Sequence, residues 1–379
     1  MDFQLTEEQT LIQDMARNFA ATELAPHSSK WDEEKRLDRD VFKMAAELGF
    51  MGIYTSEQHG GTALPRLDSA LVFEQLAAGD VSHTAMMTIH NMATWMIDRY
   101  ADDTLRAKYV SRLTSGELIA SYCLTEPGSG SDAASLSTKA VRDGDDYILN
   151  GSKTFISGAG WSDIYVVMAR TSDDGAKGFS GVVVEKGADG LSFGANEKKM
   201  GWNAQPTAQV IFEDCRIPAE NLVGKEGEGF RFAMSGLDGG RINIGACSLG
   251  GAQKALEACL TYTKERKQFG KSIADFQNTQ FMLADMATEL EASRVMIYRG
   301  ADMIDKQVAG AGAACAMAKR FATDMCSKIA NDALQLHGGY GYLSEYGIEQ
   351  IVRDLRVHQI LEGTNQIMRV IVSRDLLRQ

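Results

Sequence analysis

One carboxylate near the end of the chain has neighbours that suit a catalytic base. Glu362 follows Leu361 and precedes Gly363. An apolar, dry environment raises the pKa of a carboxyl group and so strengthens it as a base near neutral pH. A glycine beside it lets a ligand approach the backbone closely. The alternative is an acidic residue that stands just before a helix capped by Thr364 or Asn365.

A glycine-rich segment, residues 128–133, follows the apolar stretch 120–124. Its Gly-x-Gly-x-x-Ala pattern is similar to a dinucleotide-binding fingerprint. That fingerprint opens a helix inside a βαβ unit, whereas strand-rich sequence follows here. The other interpretations are an ordinary loop, or a loop in which Thr125, Ser131 and backbone N–H groups meet a bound cofactor.

Two more motifs lie between helical patterns, at residues 266–270 and 337–341. The first is a basic turn, in which the Arg266 guanidinium could bind a phosphate or simply end a solvated helix. The second, His-Gly-Gly-Tyr-Gly, is either a helix end or a place where the backbone approaches a cofactor. It lacks the Gly-Lys-Ser/Thr end of a P-loop, so nucleotide hydrolysis is not expected.

Composition and charge argue against several classes of function. The 379-residue chain has a net charge of -12, which disfavours nucleic acid as a partner. Its six cysteines form no Cys-x-x-Cys pair and its six histidines are scattered. We therefore expect free thiols in a reducing compartment and no metal site. No apolar run reaches the ~18 residues of a membrane helix. The acidic first residues favour a cytoplasmic protein, or a mitochondrial matrix protein if the chain is processed.

Apolar periodicity divides the chain into three parts. Helical patterns dominate 1–118, short β-branched segments follow over 119–228, and helical patterns return over 229–379, a part with no proline. Because no long helical segment separates the strands, the middle part is predicted to be an antiparallel barrel or sandwich. The predicted fold is therefore α+β, with an N-terminal α-helical domain, a middle antiparallel β-barrel domain and a C-terminal α-helical bundle, bounded as above.

Local signals predict particular elements. The sequence Thr-Glu-Glu-Gln at residues 6–9 predicts a capping box, and Leu11 and Phe19 are expected on the buried face of the helix that follows. The stretch 86–97 is apolar nearly all round and predicts a buried helix. Asn150-Gly151, between β-branched segments, predicts a hairpin with a type I′ turn. Further strands are predicted at 164–169, 181–185 and 209–212.

Taken together, five motifs resemble the acyl-CoA dehydrogenase family, and the resemblance covers essentially the whole chain. The motifs are residues 122–132, 150–157, 265–270, 336–341 and 361–366. Each alone is modest, but their order and spacing together are specific. The resemblance implies an α-domain, a β-barrel and a second α-domain, assembled as a homotetramer. It also implies FAD as cofactor, an acyl-CoA as substrate and electron-transferring flavoprotein as electron acceptor.

The resemblance also implies roles for individual residues. Glu362 would be the catalytic base, since the other position used for a base, just before Arg241, holds Gly239-Gly240 here. Phe155 stands where the family often has a tryptophan stacked on the flavin. The residues expected to bind FAD are Thr125, Ser131, Phe155, Ser157, Arg266, Phe269, Gln277, Gln335, Gly339, Thr364 and Gln366, of which Arg266, Phe269, Gln277, Gln335 and Gly339 would reach the FAD of a neighbouring subunit. The residues expected to contact the substrate are Ser131, Asp238, Arg241, Leu361, Gly363, Met92 and Trp95.

Within the family, segments 89–92, 237–243, 337–343 and 353–363 resemble the members that act on isobutyryl-CoA. The expected reaction is FAD-dependent α,β-dehydrogenation to methacrylyl-CoA, a step of valine catabolism. If Met92 or Trp95 faces the acyl pocket, its bulk would exclude long straight chains. The alternatives are a 2-methylbutyryl-CoA or butyryl-CoA dehydrogenase, an acyl-CoA oxidase, and a non-catalytic, DNA-associated relative.

Overall fold

Helices occupy both ends of the chain and strands its middle. The structure, a computed structural model, describes residues 4–378. The helices are α1 (Glu7–Phe19), α2 (Ser28–Glu34), α3 (Arg39–Glu47), α4 (Arg66–Gly79), α5 (Val81–Tyr100), α6 (Asp103–Thr114), α7 (Gly229–Glu265), α8 (Gln277–Asp305), α9 (Ala311–His337), α10 (Ile348–Arg356) and α11 (Asn365–Leu376). The strands are β1 (Ala120–Cys123), β2 (Lys139–Asp143), β3 (Asp146–Ser157), β4 (Ile164–Arg170), β5 (Phe179–Glu185), β6 (Leu191–Phe193), β7 (Thr207–Pro218), β8 (Leu222–Val223), β9 (Lys267–Gln268) and β10 (Lys271–Ser272).

The first helix begins at the predicted capping box, which is confirmed. The Thr6 hydroxyl accepts a hydrogen bond from the Gln9 backbone N–H, and the Thr6 N–H donates to the Gln9 side chain, both at 3.1 Å. The expected buried face is only partly right. Ala16 and Phe19 are buried, whereas Leu11 is 70% exposed. Leu11 lies to one side of the stripe that packs on α4, because the position five residues before Ala16 is half a turn away from it.

The predicted buried helix is confirmed as α5. It passes between α4, α7 and β1, and most of its side chains are buried. It begins at Asp80, whose carboxylate accepts from the His83 backbone N–H at 2.7 Å. No helix among residues 4–378 is long and apolar enough to cross a membrane.

The middle of the chain forms one eight-stranded sheet in the order β6-β7-β3-β2-β4-β5-β8, with β1 paired to β4. The strands predicted at 164–169, 181–185 and 209–212 are confirmed within β4, β5 and β7. Most pairs are antiparallel, but β1 and β2 both pair with β4 in parallel. The predicted antiparallel arrangement therefore holds for most strand pairs, but not for these two. The sheet is also open, since β6 and β8 end the hydrogen-bonded path within the described residues.

The predicted hairpin at Asn150-Gly151 is wrong. These residues lie inside β3, a single strand that pairs along β7, and Gly151 marks a shift in the register. A Cβ atom at Gly151 would lie 2.6 Å from the Thr138 hydroxyl oxygen, so close packing requires glycine there. The true hairpin joins β2 to β3, where Asp143 pairs with Asp146. Asn-Gly is compatible with an irregular strand as well as with a turn.

Contacts around α10 hold the sheet against both helical parts. Arg353 forms an ion pair with Asp32 of α2 at 2.7 Å and donates to the Met200 carbonyl at 3.3 Å. The next residue, Asp354, accepts a hydrogen bond from the Trp202 backbone N–H at 2.5 Å. The segment that leads to Glu362 therefore starts from a point fixed to the loop between β6 and β7.

A buried histidine extends this junction. The Trp202 indole N–H donates to His358 Nε2 at 3.2 Å, and His358 Nδ1 lies 2.7 Å from the Ser248 hydroxyl of α7. Because an indole can only donate, His358 Nε2 must accept, and Nδ1 carries the proton. Burial lowers the pKa of His358 to about 3, so the ring stays neutral.

Candidate functional site

Glu362 lies in the loop between α10 and α11 in a backbone conformation that residues other than glycine rarely adopt. Its φ is +55°, and Gly363 follows with φ +86°. Such conformations persist only where the surrounding structure imposes them, and they are common at functional sites. Thr364 caps α11, because its hydroxyl accepts from the Ile367 N–H at 3.2 Å.

The Glu362 carboxylate lies against a glycine of α7. A Cβ atom at Gly240 would be 2.5 Å from Glu362 Oε2 and 2.9 Å from its Cδ. Oε2 is buried and has no hydrogen-bond partner among residues 4–378. The absence of a side chain at Gly240 thus leaves room for a carboxylate whose Oε2 atom no described residue satisfies.

The environment of this carboxylate makes it basic. Burial raises the pKa of Glu362 to about 7, against the opposing effect of the Arg241 and Lys319 charges. The Tyr122 hydroxyl is a second buried group without a partner in the described chain. Burial raises the pKa of Tyr122 well above its usual value, and the Glu362 charge raises it further. A carboxylate with a buried oxygen atom and a raised pKa can accept a proton near neutral pH.

A buried lysine that the sequence analysis missed holds the Glu362 loop. Lys319 on α9 donates to the Gly363 carbonyl at 2.8 Å and to Asn365 Oδ1 at 3.0 Å. Its side chain is fully buried, and burial lowers its pKa to about 8. No local pattern marks this residue, because the contact with Gly363 spans 44 positions.

Asp238 and Arg241 form an ion pair one turn apart on α7. The Arg241 side chain is buried, whereas the Asp238 side chain is 38% exposed. Burial raises the pKa of Asp238, and the Arg241 charge opposes that effect. Arg241 Nε has no partner among the described residues. The pair therefore extends from the buried region around Glu362 to the solvent.

Met92, which is predicted for the acyl pocket, faces the glycine side of α7, and Trp95, also predicted, packs on Arg66. A Cβ atom at Gly236 would lie 2.1 Å from Met96 Cε and 3.6 Å from Met92 Cγ. Met92 is 3% exposed. The Trp95 ring is partly buried and lies 5.0 Å from the Arg66 guanidinium carbon. Since Gly236 and Gly240 are one turn apart, Met92 and Glu362 contact the same face of α7.

Three of the residues predicted to bind FAD lie together at the sheet. The Thr154 N–H donates to the Thr125 carbonyl at 2.8 Å, which holds β3 beside that loop. Phe155 follows with φ +56° in an irregular part of β3 and is 67% exposed. The Ser157 carbonyl accepts from the Ser121 hydroxyl at 2.6 Å. An uncovered aromatic ring between hydroxyl-bearing residues fits a planar ligand such as a flavin ring.

A buried ion pair fixes the Thr125 loop. Lys153 donates to Glu126 Oε1 at 2.7 Å and to the Leu124 carbonyl at 3.1 Å. Burial alone would raise the pKa of Glu126, but the Lys153 charge and the hydrogen bonds from Lys153, Thr138 and Ser137 together lower it to about 2. The loop that carries Thr125 is therefore tied to β3 through a charged pair.

A second group of predicted FAD residues lines a cavity of about 380 Å³ between the ends of α7 and α9. Arg266, Gln335 and Gly339 line it together, and Arg266 lies 5.2 Å from the centre of the Tyr340 ring. Neither Phe155 nor Glu362 belongs to this cavity, so the predicted FAD residues form separate groups within one chain. Of the remaining five, Thr364 is half-buried at the start of α11, and Ser131, Phe269, Gln277 and Gln366 are exposed.

Comparison with known proteins gives a consistent result over the whole chain. Three family models match: the acyl-CoA dehydrogenase N-terminal domain at residues 6–117, the middle domain at 121–215 and the C-terminal domain at 227–377. The isobutyryl-CoA dehydrogenases of Dictyostelium discoideum and Bos taurus are 57% and 55% identical to this chain, over 98% and 99% of it and 90% of each relative.

Solved structures agree with these matches. A chain solved in work on the electron transferring flavoprotein of Acidaminococcus fermentans is 44% identical, with a TM-score of 0.97 and full coverage of both chains. PigA, solved with FAD and proline, is 33% identical, with a TM-score of 0.96 and full coverage of both chains.

Proposed function

Since the chain belongs to the acyl-CoA dehydrogenase family, we propose that it oxidises isobutyryl-CoA to methacrylyl-CoA, a step of valine catabolism. It is a flavin-dependent oxidoreductase with FAD as cofactor. The observation that carries the proposal is the buried, unpaired Oε2 atom of the Glu362 carboxylate, which lies against Gly240. The choice of isobutyryl-CoA rests on the two relatives of that name.

Glu362 is the proposed catalytic base. Its carboxylate removes the α-proton of the acyl thioester, and Oε2 is free to do so because no protein donor satisfies it in the described chain. The backbone N–H of Glu362 also has no protein acceptor within residues 4–378. It can therefore donate to the thioester oxygen and stabilise the negative charge that develops there. The flavin, when bound, supplies the acceptor for the β-hydrogen.

The exposed Phe155 ring and the hydroxyls beside it are the proposed contacts of the flavin ring. The residues proposed to hold FAD within one subunit are Thr125, Ser131, Phe155, Ser157, Thr364 and Gln366. Arg266, Phe269, Gln277, Gln335 and Gly339 lie apart from them, so we assign these to the FAD of a neighbouring subunit in a homotetramer. The 94% exposure of Phe269 supports this assignment, since a subunit contact would cover it.

The acyl-CoA is proposed to enter along α7. Asp238 and Arg241 contact the pantetheine, because the pair reaches from the buried Arg241 near the base to the partly exposed Asp238. Ser131 is assigned to the pantetheine from the family likeness. Leu361 and Gly363 flank the reacting carbons. Met92 and Trp95 form the wall of the acyl pocket, and their bulk leaves room for a short group only. A methionine wall can adapt to an α-methyl branch.

The remaining assignments follow from the same likeness. Electron-transferring flavoprotein is the proposed electron acceptor, since the chain 44% identical to this one was solved in work on such a protein. We place the three domains at 1–118, 119–228 and 229–379. A cytoplasmic location, or the mitochondrial matrix, is proposed; the two named relatives are mitochondrial.

A panel of substrates tests the proposal. We expect kcat/KM with a dye acceptor to be highest for isobutyryl-CoA, lower for 2-methylbutyryl-CoA and butyryl-CoA, and lowest for octanoyl-CoA. Each methylene is worth only ~1–3 kcal/mol, so the differences should be graded. A preference for octanoyl-CoA would contradict the short pocket, and a preference for isovaleryl-CoA would contradict the α-branch. Release of hydrogen peroxide in step with turnover would indicate an oxidase instead.

A further inference from the structure

The first residue of α4 is a buried cation that forms no side-chain ion pair with another residue of 4–378. Arg66 is 6% exposed, and its Nη1 atom is buried with no hydrogen-bond partner among residues 4–378. Its guanidinium carbon lies 3.5 Å from the centre of the Tyr54 ring and 5.0 Å from that of Trp95. The Asp305 carboxylate accepts hydrogen bonds from two backbone N–H groups, one of which is that of Arg66 itself at 2.7 Å. The two aromatic rings that pack on the guanidinium offset only part of the free-energy cost of burying its charge.

This cation lies beside the catalytic carboxylate along α7. A Cβ atom at Gly239 would be 2.7 Å from Arg66 Nη1, just as one at Gly240 would be 2.5 Å from Glu362 Oε2. Two adjacent glycines therefore leave space for the two charged groups. The charges of both Arg66 and Glu362 affect the pKa of Tyr54, which burial raises. Arg66 and Glu362 thus border the same buried region.

The same region holds another unsatisfied polar atom. Asn243 lies one turn beyond Gly239 and Gly240 on α7. Its Nδ2 donates to the Tyr54 hydroxyl at 3.1 Å, while its Oδ1 is buried and unpaired within the described chain. Trp95, a proposed wall of the acyl pocket, packs on Arg66. The far side of the pocket is therefore polar, although its wall at Met92 is apolar.

We propose that Arg66, with Tyr54 and Asn243, forms the polar end of the acyl pocket and sets the preference for short acyl groups. This proposal rests on the proposed function. A short group leaves space for a water molecule that accepts from Arg66 Nη1. A longer hydrocarbon chain must displace that water and presents no acceptor in its place, which leaves a buried N–H unsatisfied. The Arg66 charge therefore disfavours long acyl groups, in addition to the effect of the size of the pocket.

Replacing the charge by an apolar side chain of similar length tests this idea. For Arg66→Met, we expect the ratio of kcat/KM for octanoyl-CoA to that for isobutyryl-CoA to rise about tenfold or more, the range expected for a pocket contact. Arg66→Lys is the matched control, because it keeps the charge and should keep the ratio within about threefold. An unchanged ratio in Arg66→Met, or an equal rise in Arg66→Lys, would overturn the proposal.

A pair of thioesters of equal length tests the same idea on the unaltered enzyme, should Arg66→Met fail to fold. 4-Hydroxybutyryl-CoA carries a hydroxyl where pentanoyl-CoA carries a methyl group. A polar end of the pocket predicts kcat/KM for the hydroxyl compound equal to or above that for pentanoyl-CoA. A preference of about tenfold or more for pentanoyl-CoA would show an apolar end and overturn the proposal. If no acyl-CoA reduces the flavin of the wild-type protein, the proposed function itself fails.

Discussion

A Cβ atom at Gly240 would lie 2.5 Å from Oε2 of Glu362, so a side chain at position 240 and the Glu362 carboxylate would fill the same space. The two residues are far apart in the sequence but meet where α7 passes the loop before α11. A carboxylate placed on either element would therefore reach the same point. The contact explains how one reaction could draw its base from either of two positions.

Moving the base across this contact gives the first prediction. Glu362→Gly should lower the rate of flavin reduction by roughly 10²–10⁴ or more, the size of a general-base effect. The double variant Glu362→Gly with Gly240→Glu should recover part of that loss, because the new carboxylate enters the vacated space. Glycine also suits φ +55° at position 362. The single variant Gly240→Glu serves as the control. A double variant that binds flavin but is as slow as Glu362→Gly would contradict the shared position.

The charge of Lys319 gives the second prediction. This charge lowers the pKa of Glu362, so Lys319→Met should raise that pKa from about 7. Because the ionised carboxylate is the active form, flavin reduction in the variant should be slower at pH 7 and should recover at higher pH. The measurement is the rate of flavin reduction against pH, beside Lys328→Met as the control, since Lys328 lies on the exposed side of α9. If the rate of flavin reduction falls off on the acid side at the same pH in Lys319→Met as in the wild type, Lys319 does not affect the pKa of Glu362.

The Trp202–His358 hydrogen bond gives the third prediction. Trp202→Phe removes the indole donor and leaves the buried Nε2 of His358 unsatisfied, which costs about 1–3 kcal/mol. We expect a lower Tm in calorimetry and an unchanged flavin content. Trp161→Phe is the control, because the Trp161 indole makes no hydrogen bond among residues 4–378. Equal losses in the two variants would mean that aromatic volume, rather than the hydrogen bond, holds the junction.

The cavity at Arg266 gives the fourth prediction. If Arg266 reaches the FAD of a neighbouring subunit, Arg266→Ala should lose cofactor and weaken the oligomer together. The molar ratio of flavin to protein and the sedimentation coefficient measure the two effects. Lys264→Ala removes a nearby positive charge of the same helix end and should change neither. An Arg266→Ala protein that lacks FAD at full oligomer size, or keeps FAD as a monomer, would break the proposed link.

Local sequence patterns predicted the elements whose causes are local. The capping box at Thr6 and the buried helix α5 are examples, because both depend on residues within a few turns. The prediction of a hairpin at Asn150-Gly151 was wrong, since only the pairing of β3 with β7 decides between a turn and an irregular strand. The parallel pairs of β4 likewise depend on the chain order within the sheet.

The candidate site divides in the same way. Glu362 was recognisable from its motif, whereas Lys319 and Arg66 were not, because both matter only through contacts with distant parts of the chain. The sequence also indicated that Gly239-Gly240 cannot supply the base. The structure adds that Gly239 and Gly240 leave space for Arg66 and Glu362 respectively.

We propose above all that Glu362 takes the α-proton of a short branched acyl-CoA bound beside FAD. The most direct measurement mixes isobutyryl-CoA with the flavin-loaded protein without oxygen and follows the loss of flavin absorbance. The wild-type flavin should bleach, and Glu362→Gln should keep its flavin but bleach roughly 10²–10⁴ times more slowly or not at all. Bleaching of the Glu362→Gln flavin at the wild-type rate, or a wild-type flavin that isobutyryl-CoA does not reduce, would contradict the account.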